Sequence, residues 1–146
     1  MEVIIDASVV AKWFFPDESG TSSALRLKED FVKRELSIAV PLLIYYEVGN
    51  LLKTAIKALR IDRNKAFKAY EGFFELDFAV YSEKQLMKFA LTKAEELDIS
   101  VYDSSYITLA QYLQIPFYTG DETLLRKAKS EFMKHIEEYA ITKSTA

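Results

Sequence analysis

The sequence predicts an α/β domain built on a mainly parallel sheet of five strands. Short apolar runs recur along the chain, and stretches with apolar residues every three or four positions separate them. Asp6 and Asp121 stand just beyond two such runs, where open α/β sheets carry their ligands.

Each element has its own signal. Residues 2–6 (EVIID) read as a strand, because Val3, Ile4 and Ile5 form the continuous apolar run of a strand covered on both faces. Residues 7–14 read as a helix, 16–20 (PDESG) as a loop and 21–35 as a second helix. LSIAVP at 36–41 is the next strand, stopped by Pro41. The clearest helix follows, with Ile44, Val48, Leu51, Leu52, Ala55, Ile56 and Leu59 on one stripe and Lys53 and Lys57 on the far face. Further helices are expected at 62–75, 83–97, 101–113 and about 121–133. Strands are expected at 78–81 and 115–119, with a last edge strand at 136–141.

A chain of 146 residues, half of them hydrophobic, suits a single domain, here spanning 2–141. No apolar run reaches the roughly 20 residues of a membrane-spanning helix and no basic leader opens the chain, so a cytoplasmic protein is expected. The absence of cysteine excludes disulfide frameworks, thiol nucleophiles and thiolate zinc sites. His135, the single histidine, excludes a multi-histidine metal centre within one chain. Any bound metal is therefore a hard cation with oxygen ligands. A net charge of −3 and a pI near 5.3 argue against a broad, sequence-blind nucleic-acid surface, though not against local contact.

Four of the 22 acidic residues stand out. Asp6 and Asp121 follow strands. Glu47 lies at the edge of the apolar stripe, where an unpaired carboxylate is costly, and Asn50 and Thr54 share its flank. Asp103 opens a helix whose inner face is Ile107, Ala110 and Leu113. Each also has a plainer reading. Asp6 can cap helix 7–14 with Ser8, Ser100 and Asp103 fit a capping box, Asp121 can cap its helix, and Thr119 with Glu122 spells a second box. Glu47 can be a flank residue steadied by lysines on neighbouring turns.

Taken together, IDAS at 4–7 with Ser8, YEVGN at 46–50, YDSSYITLA at 102–110 and YTGDETLL at 118–125 resemble the PIN-domain ribonucleases. More narrowly, they resemble the VapC-type toxins of toxin–antitoxin pairs. The resemblance runs over about residues 2–141, in order. It implies a three-layer α/β/α sandwich and an endoribonuclease dependent on Mg²⁺ or Mn²⁺. It also implies that Asp6, Glu47, Asp103 and Asp121 converge in one pocket, with Ser8, Asn50 and Thr119 in support. Asp6, Asp103 and Asp121 become the expected metal ligands, and Glu47 the group that orients the attacking water. A cognate antitoxin, an RNA substrate and a homodimer, with helices around 42–75 as its surface, are the implied partners. Some relatives carry a further acid two residues after the fourth; Thr123 stands there in this chain, which weakens the case for a second ion.

Elementary chemistry agrees with that assignment. A divalent cation acidifies water and neutralises phosphate charge, whereas clustered carboxylates without one repel until some hold protons. Other features have two readings. Trp13, Phe14 and Phe15 read as helix core or as a groove for a partner. Tyr45, Tyr46, Tyr102 and Tyr106 read as packing or as stacking platforms for bases. Lys12, Lys53, Lys57 and Arg60 read as solvated surface or phosphate contacts. A haloacid-dehalogenase-type phosphatase is disfavoured because Ser8 stands where its second acid belongs. A receiver domain is disfavoured because the paired acids and the lysine it needs are missing. The remaining alternative is an inactive PIN-like module that binds protein or RNA.

Overall fold

A computed structural model describes residues 1–139. Strands β1 (Glu2–Ile5), β2 (Ser37–Pro41), β3 (Ala79–Tyr81), β4 (Phe117–Thr119) and β5 (Met133–His135) form one sheet in the order β3-β2-β1-β4-β5. Every neighbouring pair is parallel. The connections hold α1 (Ala7–Phe14), α2 (Thr21–Val32), α3 (Leu43–Lys57), α4 (Arg63–Phe74), α5 (Lys84–Leu97), α6 (Val101–Leu113) and α7 (Glu122–Ala128).

The strand order steps one way from β1 through β2 to β3, then returns to the other side of β1 for β4 and β5. Right-handed crossovers therefore put α1–α4 on one face and α5–α7 on the other. The packing agrees: α1 meets α2 and α3, α3 meets α4, and α5 lies against α6 across the sheet from them. This is the expected α/β/α sandwich. Its strand order reverses between β1 and β4, where Ile5 pairs with Tyr118, so Asp6 and Thr119 leave the sheet side by side. Val3, Ile4, Ile5, Ile38, Ala39, Val40 and Phe117 are fully buried, as strands sandwiched between helix layers require.

Several boundaries differ from the sequence reading. The stripe on α3 stops at Ile56. Leu59 is 91% exposed with φ 60°, because the chain closes the helix by donating Arg60 N to Ala55 O. The helix begun at 21 ends at Val32 rather than 35, and Arg34 takes φ 62°. The helix expected over 121–133 ends at Ala128, where Lys129 turns left-handed and Ser130 Oγ accepts from Phe132 N. The last strand consequently comes earlier, at Met133–His135. Ile136 still donates to Thr119 O, but Tyr139 N then turns back onto Ile136 O. Residues 140–141 of the expected strand and domain lie outside the described residues. Trp13 and Phe15 are buried, and Trp13 Nε1 donates to Ala24 O at 2.8 Å. The core reading of that segment holds.

Candidate active site

One wall of the site is built from the ends of β1 and β4. Asp6 caps α1, accepting from Ser8 N at 3.1 Å, and is itself buried. Both carboxylate oxygens are held by hydroxyls: Ser8 Oγ donates to Oδ1 and Thr119 Oγ1 to Oδ2, each at 2.5 Å. Those hydroxyls are fixed in turn by backbone donors. Gly120 N donates to Ser8 Oγ at 2.7 Å and Asp121 N to Thr119 Oγ1 at 3.0 Å. Asp121 is the N-cap of α7, accepting from Leu124 N at 3.0 Å. The capping box read from Thr119 and Glu122 does not form, because Thr119 ends β4 and Asp121 takes the N-cap. Glu122 instead faces His135, 3.9 Å away.

The opposite wall belongs to helices. Glu47, in the second turn of α3, accepts from Tyr106 Oη at 2.5 Å. Tyr106 is buried and stacks on Phe117 of β4, so the phenol is tied to the sheet. Asp103 stands in the first turn of α6, where its N–H donates to the capping Ser100 Oγ at 3.0 Å. Glu47 and Asp103 are half-buried, while Asn50 and Thr54 are exposed. The hydroxyl that meets Glu47 comes from Tyr106.

Three of the acids, Asp6, Glu47 and Asp103, are each raised by burial and by a neighbouring acid. Burial pushes the Asp6 carboxyl up to about 6, against the pull of the Ser8 and Thr119 hydroxyls, and the charge of Glu47 raises it further. Burial also raises Glu47, opposed by the Tyr106 bond and reinforced by Asp103. Asp103 is raised by burial first and by Asp121 second. Burial leads in each case, and a neighbouring acid is the next cause that raises the value. Tyr106 is held well above its usual value by burial and by Glu47, so it remains a donor.

Among the described residues, no lysine or arginine forms an ion pair with any of the four. Nor do three acids close into a ready-made cage. The donor set nonetheless suits a hard cation. It is all oxygen, it repels itself, and Mg²⁺ needs only a few carboxylates once waters and a phosphate fill its octahedron.

Sequence reasoning passed over two residues here. Tyr106 was read only as a flanking aromatic, although its i+3 spacing from Asp103 put it on the same side of α6. Lys12, grouped by sequence with basic residues that are solvated surface or phosphate contacts, is only 7% exposed. It lies one turn after Ser8, and this i+4 spacing was the available signal.

No protein-family model matches the chain. It is 28% identical over 130 residues to a protein named ribonuclease VapC3 from Pyrobaculum aerophilum, covering 87% of this chain and 95% of that one. The crystal structure of PAE2754, also from Pyrobaculum aerophilum, superposes with a TM-score of 0.74 at 23% identity. That match covers 100% of this chain and 98% of the other. The chain thus shares its whole fold with a solved protein, and most of its length is similar to a VapC-type ribonuclease.

Proposed function

We propose that the protein is a metal-dependent endoribonuclease that hydrolyses RNA phosphodiester bonds as the toxin half of a toxin–antitoxin pair. The observation that carries this reading is the row of four carboxylates at the strand-order reversal, each near another acid and none paired to a cationic side chain among the described residues. The similarity to ribonuclease VapC3 supports both the reaction and an antitoxin partner. A homodimer working in the cytoplasm belongs to the same proposal. No helix among the described residues is long and apolar enough to cross a membrane.

Asp6, Asp103 and Asp121 would hold Mg²⁺ or Mn²⁺. Bound there, the ion supplies acidity to a water and positive charge to the scissile phosphate. Ser8 and Thr119 keep Asp6 from rotating, which fixes the deepest ligand. Glu47, braced by Tyr106, orients the attacking water and accepts its proton. The new P–O bond forms as the opposite P–O bond breaks, and the departing oxygen takes a proton from solvent. Exposed Tyr46 and Tyr102, beside Glu47 and Asp103, offer faces on which single-stranded bases can stack.

The test is cleavage of structured and unstructured RNA in Mg²⁺, Mn²⁺ or EDTA, with Asp6→Asn beside the wild type and calorimetric Mn²⁺ titration of both. Cleavage that requires metal and vanishes in the variant is the expected result. A protein that neither cleaves nor binds Mn²⁺ is the inactive module instead.

A further inference from the structure

Lys12 is the one feature around the site that the four acids leave unexplained. It stands in the last turn of α1, and Cα–Cβ bonds tilt towards a helix N-terminus, so its side chain runs back towards the sheet edge above Ser8. It is 7% exposed, and its ammonium has no hydrogen-bond or ion-pair partner among the described residues. The stem is buried, while the ammonium is not among the buried unsatisfied atoms and so reaches solvent at its tip, a positive charge held at the edge of the site where an anion from solution can meet it.

Gly120 shows where that anion would sit. Its φ lies outside the left-handed region, so its backbone makes no demand for glycine. What forbids a side chain is Lys12. A Cβ on Gly120 would stand 2.8 Å from Lys12 Cε, 3.3 Å from Lys12 Nζ and 3.3 Å from Ser8 Oγ. On its other side, the Lys12 stem packs by Gly20, whose Cβ would meet Cε at 3.5 Å. The two glycines thus form a channel that delivers the ammonium to the turn between Thr119 and Asp121. There it forms no ion pair within 4 Å with any carboxylate among the described residues, so it is not tied up by the acids of the site.

We infer that Lys12 is a substrate-binding residue whose ammonium takes a non-bridging phosphate oxygen of single-stranded RNA beside the acidic site. This rests on the nuclease reading for the identity of the ligand, whereas the placed ammonium without a protein partner stands without it. An acidic protein that must hold a polyanion needs a fixed positive charge where the backbone crosses its most negative wall. Lys12 supplies that charge without sequence preference, since phosphates position and bases specify.

The test is fluorescence anisotropy of a labelled single-stranded 2′-O-methyl oligonucleotide, with Ca²⁺ in place of Mn²⁺ so that binding is read without turnover. Wild type, Lys12→Met, Lys12→Arg and Gly120→Ala are compared across a salt series, with inorganic phosphate as competitor. Lys12→Met should bind about tenfold more weakly. It should also lose about 0.7 from the salt slope, the share of one single-strand phosphate. Lys12→Arg should keep most of the affinity. Gly120→Ala should lose as much as Lys12→Met, because the new methyl displaces an intact lysine. Lys12→Met should melt no lower than wild type and bind Mn²⁺ no more weakly.

Competition by inorganic phosphate against wild type, and not against Lys12→Met, would support a contact made to the phosphate group alone. Oligonucleotide binding unchanged in Lys12→Met would overturn the inference, as would a parallel loss of Mn²⁺ affinity. Ribonucleotide cleavage in Mn²⁺ is read alongside. A wild type that binds through Lys12 but neither cleaves nor binds Mn²⁺ defeats the nuclease reading and leaves this one standing.

Discussion

The two walls of the acidic site are built to different standards. On the strand wall, Asp6 is buried, both its oxygens are occupied by hydroxyls, and each of those hydroxyls is held by a backbone N–H. On the helix wall, Glu47 has one phenol and Asp103 offers its N–H, rather than its carboxylate, to the cap. Both side chains there are half-exposed. The strand wall is therefore preorganised, and the helix wall keeps lone pairs free for water, metal or substrate. A hydrolytic site needs both properties, since a fixed ligand sets the geometry and freer carboxylates follow the charge as it moves.

Breaking the strand wall should cost the most. Asp6→Asn is expected to lose at least about a hundredfold in metal-dependent cleavage, more than loss of a supporting partner costs, and to lose Mn²⁺ binding with it. Glu47→Gln should lose comparable rate while retaining most of its Mn²⁺ affinity, because its role lies with the water. Calorimetry and single-turnover cleavage on the same preparations separate the two. Equal loss of Mn²⁺ affinity in both variants would erase the distinction between the walls.

The metal-free protein should also report the burial of Asp6 through its stability. The folded carboxyl titrates near 6, against 3.8 for the free group, so the fold binds the proton more tightly than the unfolded chain does. The stabilisation is complete below about pH 4 and is lost as pH rises through 6. It amounts to about 3 kcal/mol for a shift of this size. Thermal melts in EDTA should therefore show stability rising as pH falls from 7 to 5. Asp6→Asn should flatten that trend and melt higher than wild type at pH 7. A wild-type profile in which stability falls between pH 7 and 5 would contradict this.

Thr119→Val sharpens the comparison further, because it removes one hydroxyl from Asp6 while preserving shape. Mn²⁺ affinity should fall about tenfold to a hundredfold, the usual cost of losing a partner that orients a metal ligand. Ser8→Ala should cost no more, because Thr119 remains on Asp6. Titration calorimetry at fixed pH measures both.

How much of this was legible beforehand follows from which interactions are local. Continuous apolar runs and a carboxylate beyond them mark β1, β4 and the strand wall, because a strand end and the cap after it are set within a few residues. Asp6 and Asp121 were read as caps and as ligands, and the caps form as written. Thr119 shows the limit. Locally it spells a helix cap, but it ends β4, Asp121 takes the cap, and a pairing across 113 residues in sequence turns its hydroxyl onto Asp6. For Lys12 the sequence leaves solvated surface and phosphate contact both open, because the approach of Gly120, which sets where its ammonium lies, comes from far along the chain. Leu59 and the end of α7 were missed because periodicity continues past the point where a left-handed residue closes the helix.

The smallest effect is expected on the helix wall, at Tyr106. Its hydroxyl donates to Glu47, while its ring stacks on Phe117 with centroids 5.5 Å apart. Tyr106→Phe keeps the stack and deletes only the bond. Glu47 then loses the one interaction that opposes burial, so its carboxyl should rise further and hold a proton to higher pH. A protonated Glu47 accepts no proton from water, so the loss should appear in the rate constant and leave substrate affinity nearly unchanged. About tenfold at neutral pH is expected, the low end of what such partners contribute. Raising the pH should recover part of it, because deprotonation restores the acceptor without restoring its brace. A loss that ignores pH would mean that Tyr106 fixes the position of Glu47 rather than its charge, and the helix wall would then be as preorganised as the strand wall.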